Sequence, residues 1–466
     1  MEQTKTSSKL IFAFGGLGKD AMFAMSTIMA FYFIDLIGIS PLFIGIMMMI
    51  VRVWDAVNDP IMGGIVSNTN TRMGKFRPWI LIGTTLNAII LVLVFLNPPF
   101  LPNSLEMLIY VTFFYTLWGM SYTLMDIPFW SMIPALSQSQ KERESITVLT
   151  RLFTSIGYFI VAAGYLDIAK FLGGGETTSA QIQGLFYLSI AVSLIFFFSE
   201  LLLVFKVKEK IVPKVVAKIS LKRMYQLIRQ NDQLYVVMIV VLIANFVLFI
   251  TSGMAIYYII YDIGNEGLFF IFIALGGVLQ VIGSLTFPIF RKWLTRRKIF
   301  NASVTLQMLG FLALFLNAFI LDNFVPLVFA LGALVFFGQG LQMVLQTVLL
   351  SDTVEYGEFK LKERAEALAF SVQTFIVKLA MGLSLGVIGI GLFIFNFQET
   401  VDEVRQPQAE ITLIGMRILM FIVPIIGLCI SLLIFNKKHT LNEIQYASIV
   451  EALKERDLYE EDGTEL

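Results

Sequence analysis

The sequence predicts an all-helical integral membrane protein with twelve transmembrane helices. Of its 466 residues, 57% are apolar and only 15% are charged, whereas soluble domains carry roughly 25% charged residues. The chain also holds 43 Phe and 21 Met residues, more than a water-soluble core can hide behind so few charges. These apolar residues form long runs separated by short polar stretches, so we expect most of the chain to be surrounded by lipid.

Twelve apolar runs are long enough to span a bilayer, which takes about 20 residues of α-helix. They cover 10–38, 41–66, 79–96, 107–136, 147–170, 184–206, 234–263, 268–290, 299–321, 326–350, 367–397 and 411–435. A basic linker follows the sixth run. We therefore predict an N-terminal six-helix bundle over 1–206, a middle loop over 207–233, a C-terminal six-helix bundle over 234–435 and a tail over 436–466.

The placement of Lys and Arg predicts the orientation of these helices. Most of the 34 Lys and Arg residues lie in the linker, the tail and the loops on the same side as the N-terminus. The loops on the other side hold at most Lys170 and Arg405. Because an excess of positive charge marks cytoplasmic loops, we expect a multi-pass protein of the cytoplasmic membrane with both termini in the cytoplasm.

Several function classes are excluded by composition. The formal net charge is zero, so no nucleic-acid partner is predicted. The single cysteine, Cys429, lies inside an apolar run, and the single histidine, His439, follows the last run. Neither a zinc centre nor a nucleophile with its base is predicted, so we expect no catalytic residues, no cofactor and no enzymatic activity. The sequence indicates no obligatory protein partner.

Charged residues inside the predicted spans are the strongest functional signal. An ionisable group at membrane depth costs about 2.5–3.5 kcal/mol on insertion scales, so such groups are rarely without a role. Eight of them are expected to surround a shared wet cavity, where they neutralise one another. They are Lys19, Asp20, Arg52, Asp55, Asp59, Asp126, Arg151 and Lys378. Asp35, Asp167 and Arg417 lie near span ends, where snorkelling to the interface is a sufficient explanation.

Two carboxylates of the second span form a candidate cation site. Asp55 and Asp59 are four residues apart, which places them on one helix face. Two close carboxylates repel each other in a low dielectric, and a small cation with a preference for oxygen ligands relieves that repulsion. Alternatively, Arg52 neutralises part of the pair and the group is a structural salt-bridge cluster.

The fourth span contains a candidate sugar site. Tyr122, Asp126 and Trp130 follow one another at intervals of four residues and form one stripe on the helix. A sugar needs an aromatic face for its C–H side and a charged acceptor for its hydroxyl groups. Asp20, beside Lys19, supplies a second such acceptor. The alternative for an aromatic stripe is packing or lipid contact, which the central carboxylate disfavours.

The eleventh span contains Gln373, Thr374 and Lys378, with Thr374 one turn before the lysine. One interpretation is that Lys378 pairs with the carboxylates of the second span and reports cation occupancy to the other half of the chain. The other is that Lys378 is a static counter-ion.

Six stretches give the chain a resemblance to a known family. They are 18–20, 52–60, 74–79, 118–130, 352–360 and 371–378. In these stretches, and over most of its length, the chain resembles the glycoside-pentoside-hexuronide:cation symporters of the major facilitator superfamily, the group that includes the melibiose carrier. The resemblance implies two six-helix bundles around a midplane site, and transport by alternating access.

The resemblance also implies roles for individual residues. The site for sodium, or for lithium or a proton, is expected at Asp55, Asp59 and Thr123, with Asn58 close by. The sugar site, for a galactoside or oligosaccharide such as melibiose, is expected at Lys19, Asp20, Asp126, Trp130 and Arg151, lined by Tyr122, Gln373, Thr374 and Val377. Arg52 and Lys378 are expected to couple the two sites.

Two departures from the melibiose carrier put melibiose itself in question. Met343 stands where that carrier has a tryptophan, and Ser26 or Thr27 stands where it has a tyrosine. Another glycoside, a pentoside or a hexuronide is therefore an alternative cargo. A lysolipid-type amphiphile is a more remote one, and a non-transporting sugar sensor is a third alternative.

Overall fold

The computed structural model describes residues 5–137, 139–209, 229–362, 366–400 and 404–461, and a helix lies at each of the twelve predicted spans. We number them in chain order: α1 Thr6–Leu36, α2 Pro41–Ser67, α3 Arg77–Val94, α4 Leu105–Leu136, α5 Gln140–Gly173, α6 Thr178–Lys206, α7 Asp232–Asp262, α8 Leu268–Arg291, α9 Arg296–Ile320, α10 Val325–Leu361, α11 Glu366–Ile394 and α12 Glu410–Lys438. A further helix, α13 Glu443–Glu461, follows in the tail.

Eleven of the described helices are long and apolar enough to cross a membrane, and α4 is the predicted span outside that group. Its length is not the reason, because its 32 residues extend for about 48 Å at ~1.5 Å per residue. The apolar sequence of α4 is instead interrupted by Asp126, Glu106 and two prolines, Pro128 and Pro134. The predicted membrane-protein class is thus confirmed, and the span outside that group is the one that carries Tyr122, Asp126 and Trp130.

The helix ends follow from local chemistry. The side chains of Ser104, Thr177, Asn231 and Thr295 accept hydrogen bonds from backbone N–H groups in the first turns of α4, α6, α7 and α9. Each bond satisfies a donor that lacks an intrahelical partner, so these residues fix where the helices begin. The end of α5 is fixed by Gly174, whose φ of 77° is accessible to glycine without strain.

The first helix of each half of the chain ends in the same way. A π-helical turn closes α1 at Tyr32–Leu36 and another closes α7 at Tyr258–Asp262. Each is followed by a glycine of positive φ, Gly38 at 81° and Gly264 at 75°. This repetition is the kind of internal symmetry expected of transporters built from repeated bundles.

Contacts between helices divide the chain into two compact units. The first comprises Met1–Lys218, Asn265–Ala274 and Leu385–Leu413, and the second comprises Ile219–Gly264, Leu275–Ser384 and Ile414–Leu466. In the first unit α1 packs on α5 and α6, and α4 packs on α2 and α3. The units follow contacts rather than chain order, so the domain boundaries at 206 and 234 stay a prediction.

The second unit contains a helix that was predicted only as part of a tail. Leu441, Ile449 and Leu453 of this C-terminal segment pack together with Tyr356 of α10. Glu443, at the start of α13, lies 3.3 Å from Arg291 and accepts a hydrogen bond of 2.7 Å from the backbone N–H of Arg296. The tail is therefore docked on the ends of α8, α9 and α10.

The expectation that Asp35 and Arg417 snorkel to the interface is wrong. Asp35 is fully buried, and its carboxylate lies 2.9 Å from Nε of Arg405. Arg417 lies 2.7 Å from the buried carboxylate of Asp262. In both cases a buried ion pair, and not exposure to water, compensates the charge. Asp167 is exposed, as the snorkelling interpretation requires.

Candidate functional site

The Lys19 cluster, which we define as Lys19, Asp20, Tyr122, Asp126 and Trp130, joins α1 to α4 in the first unit. The ammonium Nζ of Lys19 lies 2.6 Å from Asp20 and 2.7 Å from Asp126, and it donates a hydrogen bond of 3.1 Å to the Tyr122 hydroxyl. Lys19 is only 3% exposed. Its charge is therefore held by two carboxylates, which leaves the group with an excess negative charge.

Aromatic rings surround the charges of the cluster. The indole N–H of Trp130 donates to Oδ1 of Asp126 at 3.1 Å. The guanidinium of Arg151 lies 4.1 Å from the centre of the Trp130 ring, and Lys19 Nζ lies 5.1 Å from the same ring. The side chains of Asp20 and Asp126 stay 20% and 27% exposed. Both carboxylates thus remain available to accept hydrogen bonds from a ligand.

The structure adds aromatic residues that the sequence interpretation missed. Phe23 of α1 lies 5.2 Å from Tyr122 and 6.5 Å from Tyr158, measured between ring centres. Trp118 lies 5.8 Å from Tyr122 and stacks on it. The helical spacing of Phe23 after Lys19, and of Trp118 before Tyr122, is the signal that could have indicated both. Tyr158 of α5 follows Arg151 by seven residues, or two helical turns, which is a weaker signal of the same kind.

The candidate cation site lies between α2 and α4 in the same unit. Arg52 Nη1 lies 3.2 Å from Oδ2 of Asp55, which is 3% exposed. The hydroxyl of Thr123 donates to Oδ1 of Asp59 at 3.3 Å. Asn58 is half-buried on α2. The side chains of Asp59 and Thr123, predicted to act together, are in contact, and Arg52 is paired with Asp55.

The shape of α4 admits the Asp55 carboxylate at Gly119. A Cβ atom at Gly119 would lie 2.7 and 2.8 Å from the two carboxylate oxygens of Asp55, so any side chain there would displace that carboxylate. Arg52 is held on the other side by the rings of Tyr115 and Trp118, at 5.6 and 5.3 Å.

The donor atoms of this site suit a hard monovalent cation, since they are carboxylate and hydroxyl oxygens. Among the residues that the structure describes, no three His, Cys, Asp or Glu side chains are grouped as a metal site. The candidate cation site has only two such side chains, Asp55 and Asp59, beside the Thr123 hydroxyl. With Arg52 paired to Asp55, one negative charge remains, which fits a single positive ion.

One helix carries parts of both groups. Gly119 and Thr123 of α4 face the carboxylates of α2, whereas Tyr122 and Asp126 face Lys19. Thr123 and Asp126 are separated by three residues, about 4.5 Å along the helix axis. A shift of α4 that accompanies a change at one group therefore displaces the other.

The remaining predicted residues lie on α11 in the second unit. Gln373, Val377 and Lys378 are half-buried, and Thr374 is exposed. Met343 of α10, which replaces a tryptophan of the melibiose carrier, is 65% exposed. The expected meeting of Lys378 with the carboxylates of α2 stays a prediction.

Comparisons with known proteins agree with this description. The chain is 28% identical over 455 residues to a Bacillus subtilis (strain 168) protein described as the uncharacterized symporter YnaJ, covering 96% of this chain and 95% of that protein. It is 28% identical over 489 residues to a lactose permease of Lactobacillus helveticus, covering 98% of this chain and 74% of that protein. The crystal structure of the nucleoside transporter NupG shares the fold, with a TM-score of 0.64 and 16% identity over 92% of this chain and 100% of that one.

A family model described as MFS/sugar transport protein matches residues 11–437. This range includes all twelve predicted spans, except for residue 10 at the start of the first one. This match confirms the family resemblance drawn from the motifs. The chain belongs to the MFS/sugar transport protein family of the major facilitator superfamily.

Proposed function

We propose that this chain imports a galactoside or oligosaccharide, such as melibiose, together with Na⁺ by alternating access. At the coarser level the chain is a multi-pass membrane protein and a sugar symporter of the major facilitator superfamily, and not an enzyme. The finer proposal is carried by one observation: the Lys19 cluster combines two partly exposed carboxylates with an indole ring in a largely apolar unit.

The chemistry of the Lys19 cluster suits a sugar ring. Asp20 and Asp126 each keep oxygen atoms that can accept hydrogen bonds from sugar hydroxyl groups, and Arg151 can donate to a ring or glycosidic oxygen. Trp130 offers an apolar face to the C–H side of a pyranose. Lys19 holds the carboxylates in place, so little conformational entropy is lost when a ligand binds. We infer that Gln373, Thr374 and Val377 complete the lining.

The cation requirement follows from the carboxylates of α2. We infer that Asp55, Asp59 and Thr123, with Asn58, bind Na⁺, and that Li⁺ or a proton can replace it. Arg52, whose Nη1 lies 3.2 Å from Asp55, supplies one positive charge to a pair of carboxylates, so one negative charge remains to be neutralised. A bound cation cancels the remaining charge and allows α2 and α4 to pack closely.

Coupling between cation and sugar is assigned to α4. Cation binding fixes Thr123, and Thr123 lies one turn from Asp126, so the sugar site is positioned when the cation is present. The coupling must be reciprocal, so the sugar must tighten cation binding by the same factor. One positive charge crossing ~100 mV releases about 2.3 kcal/mol, which supports roughly a 50-fold sugar gradient.

We infer a cytoplasmic-membrane location with both termini in the cytoplasm. The proposal rests on the excess of Lys and Arg on one side of the predicted spans. Cysteine labelling from one side of intact cells, at positions introduced into the tail, tests this orientation.

The central test is uptake by purified protein in liposomes. Labelled melibiose, lactose, a glucoside and a pentoside are offered with and without an inward Na⁺ gradient. We expect the wild type to accumulate a galactoside when the Na⁺ gradient is present. Asp126→Asn should abolish this accumulation, and Asp59→Cys should make uptake independent of Na⁺. Asp167→Asn removes an exposed carboxylate of α5 and is the matched control.

Two outcomes would overturn the proposal. Equal accumulation by the wild type and by a variant with both Asp55→Asn and Asp59→Asn would show that these carboxylates bind no coupling ion. Unchanged transport by Asp126→Asn, with uptake of a lysophospholipid instead of sugars, would assign the chain to amphiphile transport.

A further inference from the structure

Glu200 is a buried carboxyl group that neither candidate site uses. It lies on α6, six residues before the helix ends at Lys206, which is about 9 Å along the helix axis. The residue is fully buried. Neither of its carboxyl oxygens has a hydrogen-bond partner among the residues that the structure describes. Such a group requires an explanation, because buried polar atoms are almost always satisfied.

The carboxyl group is directed at the helix that carries Lys19. A Cβ atom at Gly15 of α1 would lie 3.5 Å from the Glu200 carboxyl, and one at Gly18 would overlap Ser199. Gly15 and Lys19 are one turn apart on α1, so Glu200 lies one turn from the Lys19 cluster. The charged groups close enough to act on it are Lys19 and Asp20 of α1 and Asp126 of α4.

The charges around Glu200 disfavour a third carboxylate. Lys19 already contacts Asp20 at 2.6 Å and Asp126 at 2.7 Å, so ionised Glu200 would have no cation of its own. An unpaired ionised carboxylate in a dry interior is strongly unfavourable, and the group takes up a proton instead. A protonated carboxyl group is neutral and leaves Lys19 bound to its two partners.

We propose that Glu200 is a proton-binding site that controls the Lys19 cluster. The carboxyl group carries a proton in the resting protein at neutral pH. Loss of that proton to the solvent places a negative charge one turn from Lys19, where it competes with Asp126 for the ammonium group. Deprotonation therefore loosens Lys19 from Asp126 and weakens whatever the cluster binds.

The first test does not depend on the proposed function. Infrared difference spectra of the purified protein, recorded as the pH is raised from neutral, report protonated carboxyl groups through their C=O stretch. We expect a band at neutral pH that disappears on alkalinisation and that is missing from Glu200→Gln. Asp167→Asn, which changes an exposed carboxyl group of α5, should retain the band. Identical spectra for wild type and Glu200→Gln would show that Glu200 is ionised and would overturn the proposal.

The second test rests on the proposed function and uses melibiose as the probe. We expect the dissociation constant of the wild type to rise roughly 5-fold or more between neutral and alkaline pH, as for a typical coupling between two sites. Glu200→Gln, which imitates the protonated form, should show no such rise, and Glu200→Asp should restore it. An equal rise in wild type and Glu200→Gln would assign the pH dependence to another group. Absence of melibiose binding at every pH, with the infrared band present, would refute the proposed substrate and leave the proton site intact.

Discussion

The close approach of Gly119 to Asp55 gives a sharp test of the candidate cation site. Replacing Gly119 by alanine would put a carbon atom 2.7 and 2.8 Å from the Asp55 carboxylate oxygens. Carbon–oxygen contacts this short do not persist, so the carboxylate must move away from α4. Insertion of one methyl group into a filled space costs about 1–3 kcal/mol, whereas alanine itself favours the helix by about 1 kcal/mol over glycine.

We expect this cost to appear as weaker cation binding. If half of that strain, about 1 kcal/mol, is present only in the cation-bound state, the Na⁺ concentration that half-maximally stimulates uptake should rise roughly 5-fold, because ~1.4 kcal/mol corresponds to a factor of ten. The assay is sugar uptake into proteoliposomes at increasing external Na⁺. A thermal unfolding curve of the same preparation checks that the variant is folded.

Gly64→Ala is the matched control for this substitution. Gly64 lies on α2, and no atom lies within 4 Å of the position that its Cβ would take. This variant should keep the Na⁺ dependence of the wild type. If Gly119→Ala also keeps the Na⁺ dependence of the wild type, the position of the Asp55 carboxylate has no effect on cation binding. The assignment of the cation site to α2 and α4 would then be refuted.

Two further predictions concern stability. Arg405→Gln leaves the fully buried Asp35 without this counter-ion, so the free energy of unfolding should fall by about 3–5 kcal/mol. Adding Asp35→Asn should recover part of this loss. No recovery would contradict the pairing of Arg405 with Asp35. Burial lowers the pKa of His439 from 6.5 to about 4, so the folded state excludes a proton that the unfolded chain takes up. Stability should therefore be complete above pH 6.5 and lower by about 2 kcal/mol at pH 5, as thermal unfolding in detergent measures. His439→Phe, which can keep the stacking on Phe435, should show a smaller decrease, and an equal decrease would contradict this explanation.

The fold and the centre of the candidate site could be predicted from sequence because both depend on local patterns. A span is recognised from about 20 apolar neighbours, and the stripe of Tyr122, Asp126 and Trp130 is recognised from a spacing of four residues. The structure places Asp126 and Trp130 within 3.1 Å of each other and both beside Lys19. An ionisable residue inside a span must find a partner, so the grouping of Lys19 with Asp126 follows from energetics once the helices are assigned.

Partners that are distant in sequence could not be predicted in this way. Arg405 meets Asp35 across 370 positions of the chain, and Arg417 meets Asp262 across 155. Both pairs lie near span ends, where snorkelling explains a lone charge equally well from sequence alone. The close approach of Gly119 to Asp55 could not be predicted from sequence either, because the two residues lie on different helices.

The polar residues inside α4 and the proposed function of this helix have one physical cause. A helix that only spans the bilayer gains most from apolar residues, and α4 instead carries Asp126, which contacts Lys19 at 2.7 Å. The same helix gives up a side chain at Gly119 and offers a hydroxyl at Thr123, both to the carboxylates of α2. Asp126, Gly119 and Thr123 each reduce the apolar surface that α4 buries, and each is compensated by a contact with α1 or α2. A helix that makes such polar contacts on two sides responds to the ions and ligands that occupy them, which is the property that coupling requires.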